Sequence, residues 1–211
     1  MFTATVITIF SLAVLLFSVV IHELAHGSVA YSLGDHTAKY AGRLTLNPLK
    51  HLDPFGSVIL PLMLLLATAG QGPIFGWAKP VPINPYNFRD QKWGSLKVAI
   101  AGPAVNFLIA IILGQVIRFL NFPQALPFLQ LLSIVVFYNF LWAIFNLVPI
   151  PPLDGSWILF NFFPPGMESV KISMQQYGIF ILIFFIFFGG LNEAGFINLI
   201  SLKAVDFFLL T

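Results

Sequence analysis

Residues 2–33 read FTATVITIFSLAVLLFSVVIHELAHGSVAYSL, a run of 32 mostly apolar residues with no proline. About 20 residues at 1.5 Å each already cross the hydrocarbon core of a bilayer. The run has neither a basic flank nor a small-residue cleavage site, which disfavours a cleaved signal peptide. We therefore expect one retained transmembrane helix, with the H-E-L-A-H stretch at residues 22–26 in its second half.

The composition of the whole chain is that of a membrane protein. Of its 211 residues, 58% are hydrophobic and 9% charged, and the mean hydropathy is +0.92. The net charge of +2 is too small for a nucleic-acid surface, and the absence of cysteine excludes thiolate metal sites and cysteine catalysis. We expect the lipid bilayer and membrane-borne proteins as partners, and nitrogen or oxygen ligands for any metal.

The rest of the chain predicts an all-α polytopic membrane protein with about five transmembrane helices and one re-entrant segment. The run 55–70 is short, contains Pro61 and leads into a Gly- and Pro-rich stretch, which favours a re-entrant hairpin. Without repeats or a long polar stretch, we interpret 1–211 as one domain, with a core 2–165 and C-terminal helices 174–211. The other expected apolar segments are 97–120, 127–148, 155–163, 176–190 and 196–210.

Basic residues predict the orientation of the chain. The connections 34–54 and 76–97 hold seven of its ten Lys and Arg residues. The positive-inside rule therefore puts both connections on the cytoplasmic side, which requires the segment between them to be re-entrant. The end of the first helix, and the active site with it, should face the same side.

His22 and His26 are spaced to bind one metal ion. Four residues apart on a helix, their imidazoles project from one face, one turn apart. Zinc with an open coordination position lowers the pKa of bound water to about 7, and the neighbouring Glu23 would take its proton during attack. The alternative, three polar groups bonding across a helix interface, is strained because ionisable groups inside a membrane are costly.

Asp154 is our candidate for the third protein ligand that zinc usually has. It follows a predicted span and a proline run that ends the helix and fixes an extended approach. Taken alone, an N-cap of the segment that begins at Gly155 explains it equally well. Four other residues could be the third ligand, but they lie in the polar connection 34–54, where polar side chains are readily hydrated at the surface. Each is therefore more often structural: Asp35, His36, His51 and Asp53.

The sequence resembles the site-2 protease family of intramembrane metalloproteases. The resemblance rests on H-E-L-A-H at 22–26, A-G-P-A-V-N at 101–106 and N-L-V-P-I-P-P-L-D-G at 146–155, in matching order and spacing. It implies His22, His26 and Asp154 as ligands of one Zn²⁺, Glu23 as catalytic base and Asn146 as a residue that helps hold substrate or the oxyanion. The run G-W-A-K-P-V-P-I-N at 76–84 looks like the loop of compact bacterial and archaeal members, which implies a prokaryotic cell membrane.

Four further polar or small residues have both structural and functional interpretations. We interpret Gly102 and Pro103 as residues that permit close helix approach, and Asn106 as able to bond across helices for packing alone. A buried amide at Asn146 near the metal could instead stabilise a developing oxyanion.

These features together predict an intramembrane zinc metalloprotease that hydrolyses peptide bonds in or near transmembrane segments through a metal-activated water. Its substrate must be unwound, because a helix hides its carbonyls, and residues 70–88 could present an extended edge to the unwound segment. The alternatives are a membrane metal-binding or transport protein that uses the His/His/Asp site, and a catalytically inactive relative. Loss of hydrolysis with retained zinc in Glu23→Gln would distinguish the protease.

Overall fold

A computed structural model describes residues 2–67, 77–120 and 126–188 of the chain. Over these ranges every regular element is helical, which confirms the all-α prediction. Three of the helices, Ala4–Ser32, Gly94–Phe119 and Leu126–Asn146, are long and apolar enough to cross a membrane. The α-helices are α1 (Ala4–Ser32), α2 (Thr37–Tyr40), α3 (Leu60–Ala67), α4 (Gly94–Phe119), α5 (Leu126–Asn146), α6 (Asp154–Asn161) and α7 (Glu168–Phe188).

The three candidate spans lie where the sequence predicted helices. Helix α1 fills the expected run 2–33, and α4 begins three residues earlier than expected. Helix α5 ends at Asn146 rather than at residue 148, because the following Pro149 disfavours helical backbone before it. The segment 176–190 belongs to the longer α7, and 196–210 lies outside the described residues. The count of about five spans stays a prediction.

Helices α1, α4 and α5 pack against one another, and the H-E-L-A-H motif lies between them. Small residues allow this close approach: Ala30, Ala110 and Ala143 are fully buried. A Cβ atom added at Gly102 of α4 would overlap the imidazole rings of both His22 and His26. Gly102 therefore permits a close approach, as the sequence indicated, and the groups approached are the two histidines.

The two basic connections meet each other. Leu52 and Ala78 form an isolated antiparallel bridge, and the Lys79 N–H donates to the His51 carbonyl at 2.9 Å. The Arg43 guanidinium donates to the Lys79 carbonyl at 2.5 Å. A π-helical turn, Pro54–Ile59, and α3 lie between the paired residues. The chain on either side of this segment, at residues 51–53 and 77–79, therefore lies close together, as a re-entrant segment requires. Residues 68–76 are outside the described residues.

Candidate active site

Three side chains from two distant parts of the chain converge between α1 and α6. His22 and His26, one turn apart on α1, have their Nε2 atoms 3.0 Å from each other. The Asp154 Oδ2 atom lies 3.0 Å from the first of these nitrogens and 3.1 Å from the second. The three atoms form a nearly equilateral triangle, and the two imidazoles are buried.

The chain between α5 and α6 delivers Asp154 to this triangle. Residues 147–153 turn back from α5, and Asp154 is the first residue of α6. Leu153 occupies the N-cap position, and no side chain caps the helix. A Cβ atom at Gly155 would overlap the backbone at Leu147, so only glycine allows α6 to start this close to the end of α5. Asp154 therefore does not serve as the N-cap that the sequence left open.

Each histidine is held in the tautomer that a metal ligand requires. The Nδ1 atom of His26 lies 2.7 Å from the Val98 carbonyl, which can only accept, so this nitrogen carries the proton. The Nδ1 atom of His22 lies 2.8 Å from Oδ1 of Asn106. The same amide turns its Nδ2 towards the Ser18 carbonyl, so its oxygen faces the histidine and accepts. In the neutral form of each imidazole, Nε2 is then the unprotonated nitrogen, which is the one that can bind a metal.

The chemistry of this donor set fits a divalent cation. Two unprotonated imidazole nitrogens and a carboxylate oxygen, each 3.0–3.1 Å from the others, bring three electron-rich atoms together. Such an arrangement is repulsive unless a metal ion or a shared proton lies among the three atoms. Zinc binds nitrogen and carboxylate oxygen at about 2.0–2.2 Å, a distance compatible with a triangle of this size. His22, His26 and Asp154 can therefore hold one zinc ion.

Glu23 lines the same cavity as the triangle, which has a volume of about 390 Å³. Its Oε2 atom accepts a hydrogen bond of 2.7 Å from the backbone N–H of Val81. Its Oε1 atom has no hydrogen-bond partner among the described residues. One carboxylate oxygen is thus anchored and the other is available inside the cavity.

The segment 79–84 contains no helix and no turn, and it runs along this cavity. Pro80, Val81 and Ile83 all line it. Arg43 and Asp35 hold its two ends, through the Lys79 and Pro80 carbonyls and the Asn84 N–H respectively. The Val81 carbonyl and both backbone polar groups of Ile83 have no hydrogen-bond partner among the described residues.

Asn146 lies at the cavity wall, at the last position of α5. Its Nδ2 atom donates one hydrogen bond, of 3.0 Å, to the Trp142 carbonyl. A side-chain amide has two N–H groups, and the second has no acceptor among the described residues. The position and the free donor are compatible with the role that the sequence suggested.

The four rival ligands lie outside the metal triangle and have other partners. Asp53 caps the π-helical turn by accepting from the Phe55 and Gly56 N–H groups. His36 contacts the Gly34 carbonyl at 2.9 Å, and His51 contacts the Thr45 carbonyl at 2.9 Å. The structural roles expected for the four rivals are confirmed, but the hydrated surface is wrong for His51 and Asp35, because both are buried and bond to backbone groups.

Asp35 ties the end of α1 to the segment beside the active site. Its carboxylate accepts from the Thr37 hydroxyl at 2.5 Å, the Asn84 N–H at 2.7 Å and the Asn87 side chain at 2.9 Å. Burial raises the pKa of Asp35, but these hydrogen bonds outweigh it and hold the pKa below its usual range. Asp35 therefore stays charged and fixes the segment.

Asn106 is the site residue whose role sequence reasoning underestimated. Packing alone explained it adequately, yet its amide fixes the tautomer of a metal ligand. The available signal was its position, four residues after the Gly102 that faces the same histidines.

Similarity to known proteins agrees with the site. The model of peptidase family M50 matches residues 122–189, about a third of the chain, which include Asn146 and Asp154. The chain is 40% identical over 180 residues to a Bacillus subtilis (strain 168) protein provisionally named zinc metalloprotease YwhC; the match covers 81% of this chain and 77% of the relative.

Two further relatives come from other groups of prokaryotes. The chain is 31% identical over 178 residues to a Mycolicibacterium smegmatis protein provisionally named zinc metalloprotease Rip2, covering 84% of this chain and 66% of the relative. The chain is also 34% identical over 150 residues to zinc metalloprotease MJ0392 of Methanocaldococcus jannaschii. This match covers 70% of this chain and 33% of the relative. No solved structure matches the chain significantly. With its helical spans, its His/His/Asp triangle and this degree of identity, the chain belongs to peptidase family M50, the site-2 protease family of intramembrane zinc metalloproteases.

Proposed function

We propose that His22, His26 and Asp154 bind the catalytic zinc ion and that Glu23 is the catalytic base. The observation that carries this proposal is the triangle of Nε2, Nε2 and Oδ2 atoms, each 3.0–3.1 Å from the others. Zinc supplies Lewis acidity, which lowers the pKa of water to about 7 and polarises a carbonyl. The protein contributes ligand orientation, through Asn106 and the Val98 carbonyl, and a partly enclosed cavity.

Glu23 moves the proton in this proposal. Its Oε1 atom accepts a proton from the attacking water and returns it to the amine of the departing peptide fragment. The Val81 N–H, bonded to Oε2, fixes the rotamer so that Oε1 faces the cavity. The remaining N–H of Asn146 donates to the carbonyl oxygen as negative charge develops there, a contribution that is often the largest in acyl transfer.

The substrate is proposed to be a membrane protein whose transmembrane segment binds in extended form along residues 79–84. Prolines at 80, 82 and 85 keep this stretch from becoming helical, in line with the wider range 70–88 expected from sequence. The unpaired Val81 carbonyl and Ile83 N–H would then bond to the backbone of the unwound peptide, as in strand addition. Such pairing would hold a scissile carbonyl within the cavity that Glu23 lines.

Ile83→Pro tests this substrate edge. The change removes one unpaired N–H and leaves the Val81–Glu23 hydrogen bond intact. Cleavage of a single-span substrate should fall with zinc content unchanged, whereas Ile83→Val, which keeps the N–H, should behave as wild type. Wild-type cleavage by Ile83→Pro would rule out pairing at this residue.

We propose one domain with about five spans and a re-entrant segment, in a prokaryotic cell membrane with the active site towards the cytoplasm. The contact between the basic connections 34–54 and 76–97 supports a common side for both, and their positive charge favours the cytoplasmic one. Labelling of single cysteines introduced at Lys39 and Lys92, with a reagent that does not cross the membrane, tests the orientation. Labelling from outside intact cells would contradict it.

A further inference from the structure

We propose that Asn139 on α5 is a positioning residue that controls zinc binding by His22, acting through Asn106. Asn139 belongs neither to the metal triangle nor to the residues that line the cavity. It is 2% exposed, and Asn106 is fully buried. Together the two amides form a chain of hydrogen bonds from α5 through α4 to α1.

The hydrogen bonds in this connection have only one consistent direction. Asn139 Nδ2 donates to the Val135 carbonyl at 2.9 Å, which leaves Oδ1 of Asn139 facing Asn106. That oxygen accepts from Asn106 Nδ2 at 2.7 Å, and the second N–H of the same amide donates to the Ser18 carbonyl at 3.2 Å. Asn106 Oδ1 is then the atom that accepts from His22.

Asn139 provides the shorter of the two bonds that hold this amide in place. The bond to Ser18 is longer by half an ångström and falls on a carbonyl in a helix. Without Asn139, one buried N–H of Asn106 loses its partner, and the amide gains freedom to rotate or flip. A flipped amide would present N–H to His22 and favour the tautomer whose lone pair points away from the metal.

The inference rests on the proposed zinc site, and its test measures metal binding rather than cleavage. The full chain is purified in detergent, stripped of metal and titrated with Zn²⁺ against a chromophoric chelator. Asn106→Leu should weaken zinc binding by about 10–100-fold and Asn139→Leu by about tenfold. Because both act on one amide, the double variant should bind no more than about twofold more weakly than Asn106→Leu alone.

Two matched variants guard against a general loss of structure. Asn139→Ser keeps a hydroxyl that can bond to the Val135 carbonyl but is too short to reach Asn106, so it should weaken zinc binding as Asn139→Leu does. Ser133→Ala removes a similar bond on the same helix, to the Leu129 carbonyl, and should leave zinc affinity unchanged. The visible spectrum of the Co²⁺-loaded protein should change for both Asn139 variants and not for Ser133→Ala.

The outcomes separate this inference from the zinc site itself. Wild-type zinc affinity in both Asn139 variants, or losses that multiply in the double variant, would overturn the role of Asn139 while leaving the site intact. A wild-type chain that binds no zinc in the same titration would overturn both.

Discussion

Gly102→Ala offers a direct test of how closely α4 approaches the metal ligands. The new Cβ atom would stand 2.6 Å from the His22 ring and closer still to Nε2 of His26. Ordinary contact begins at 3.4 Å, so the His22 ring would have to retreat by about 0.8 Å. Metal-ligand distances tolerate only about 0.2 Å, which makes the displacement large for a zinc site.

Two effects on stability compete in this variant. Alanine is favoured over glycine in a helix interior by about 1 kcal/mol. Overpacking costs about 1–3 kcal/mol. The hydrogen bonds that the two imidazoles donate to Asn106 Oδ1 and to the Val98 carbonyl keep the rings from turning aside. We expect the overpacking to outweigh the gain in helix propensity, so that Gly102→Ala is less stable than wild type. Its zinc affinity should be lowered about 10–100-fold, and cleavage should fall in proportion.

The assay is zinc competition on detergent-purified protein, with thermal unfolding of the metal-free form in parallel. Ala104→Gly is the matched control, because Ala104 lies on the same helix with its side chain exposed and reports the propensity difference alone. Its zinc affinity should equal that of wild type. Wild-type zinc affinity in Gly102→Ala would refute the close approach of α4 to the two imidazoles.

Three further predictions follow from the segment beside the cavity and from the metal. Hydrogen bonds depress the folded-state pKa of Asp35, so the stability that its charge gives the folded protein is fully present above about pH 3.9 and is lost as the pH falls through the folded pKa. In Asp35→Asn, the free energy of unfolding should therefore fall less steeply with decreasing pH. An unchanged acid dependence would contradict this. Arg43→Met removes the donor to the Lys79 and Pro80 carbonyls, but also a buried Nε that has no partner in the part of the chain that the structure describes. Unfolding measurements should therefore give a loss of about 1–2 kcal/mol, with zinc retained and cleavage reduced. Full cleavage would show that this anchor is dispensable. Chelation should abolish cleavage and lower the unfolding temperature, with both restored by added Zn²⁺, whereas full cleavage after exhaustive chelation would exclude a metal-dependent reaction.

The helices that build the site could be predicted from hydropathy because each long apolar run has no competing structure in a bilayer. Helices α1, α4 and α5 accordingly begin and end within about three residues of the predicted limits, the ordinary scatter of helix ends. The π-helical turn at Pro54–Ile59 had no such signal, because it depends on capping by Asp53 and on contact between Ser57 and the Trp77 carbonyl. The cap is local, but the contact between Ser57 and Trp77 joins residues 20 positions apart.

The candidate ligands could be named from sequence because metal chemistry restricts them strongly. The four-residue spacing identified His22 and His26. The chain has few acidic residues, and Asp154 was chosen among them because it follows a predicted span and a proline run that returns the chain towards the same depth. Spacing cannot reveal which backbone or amide group holds each imidazole, since Asn106 and Val98 lie more than 70 residues from their partners. For the same reason the Val81 N–H bond to Glu23 became visible only in the folded chain.

The central claim is that Glu23 acts as a base beside a zinc ion held by His22, His26 and Asp154. The most direct measurement compares zinc content and cleavage of a single-span membrane substrate for wild type and Glu23→Gln, purified in parallel. We expect one zinc per chain in both proteins and hydrolysis in wild type alone, because glutamine keeps the shape of the side chain but cannot take a proton. Hydrolysis by Glu23→Gln at the wild-type rate would contradict the assignment.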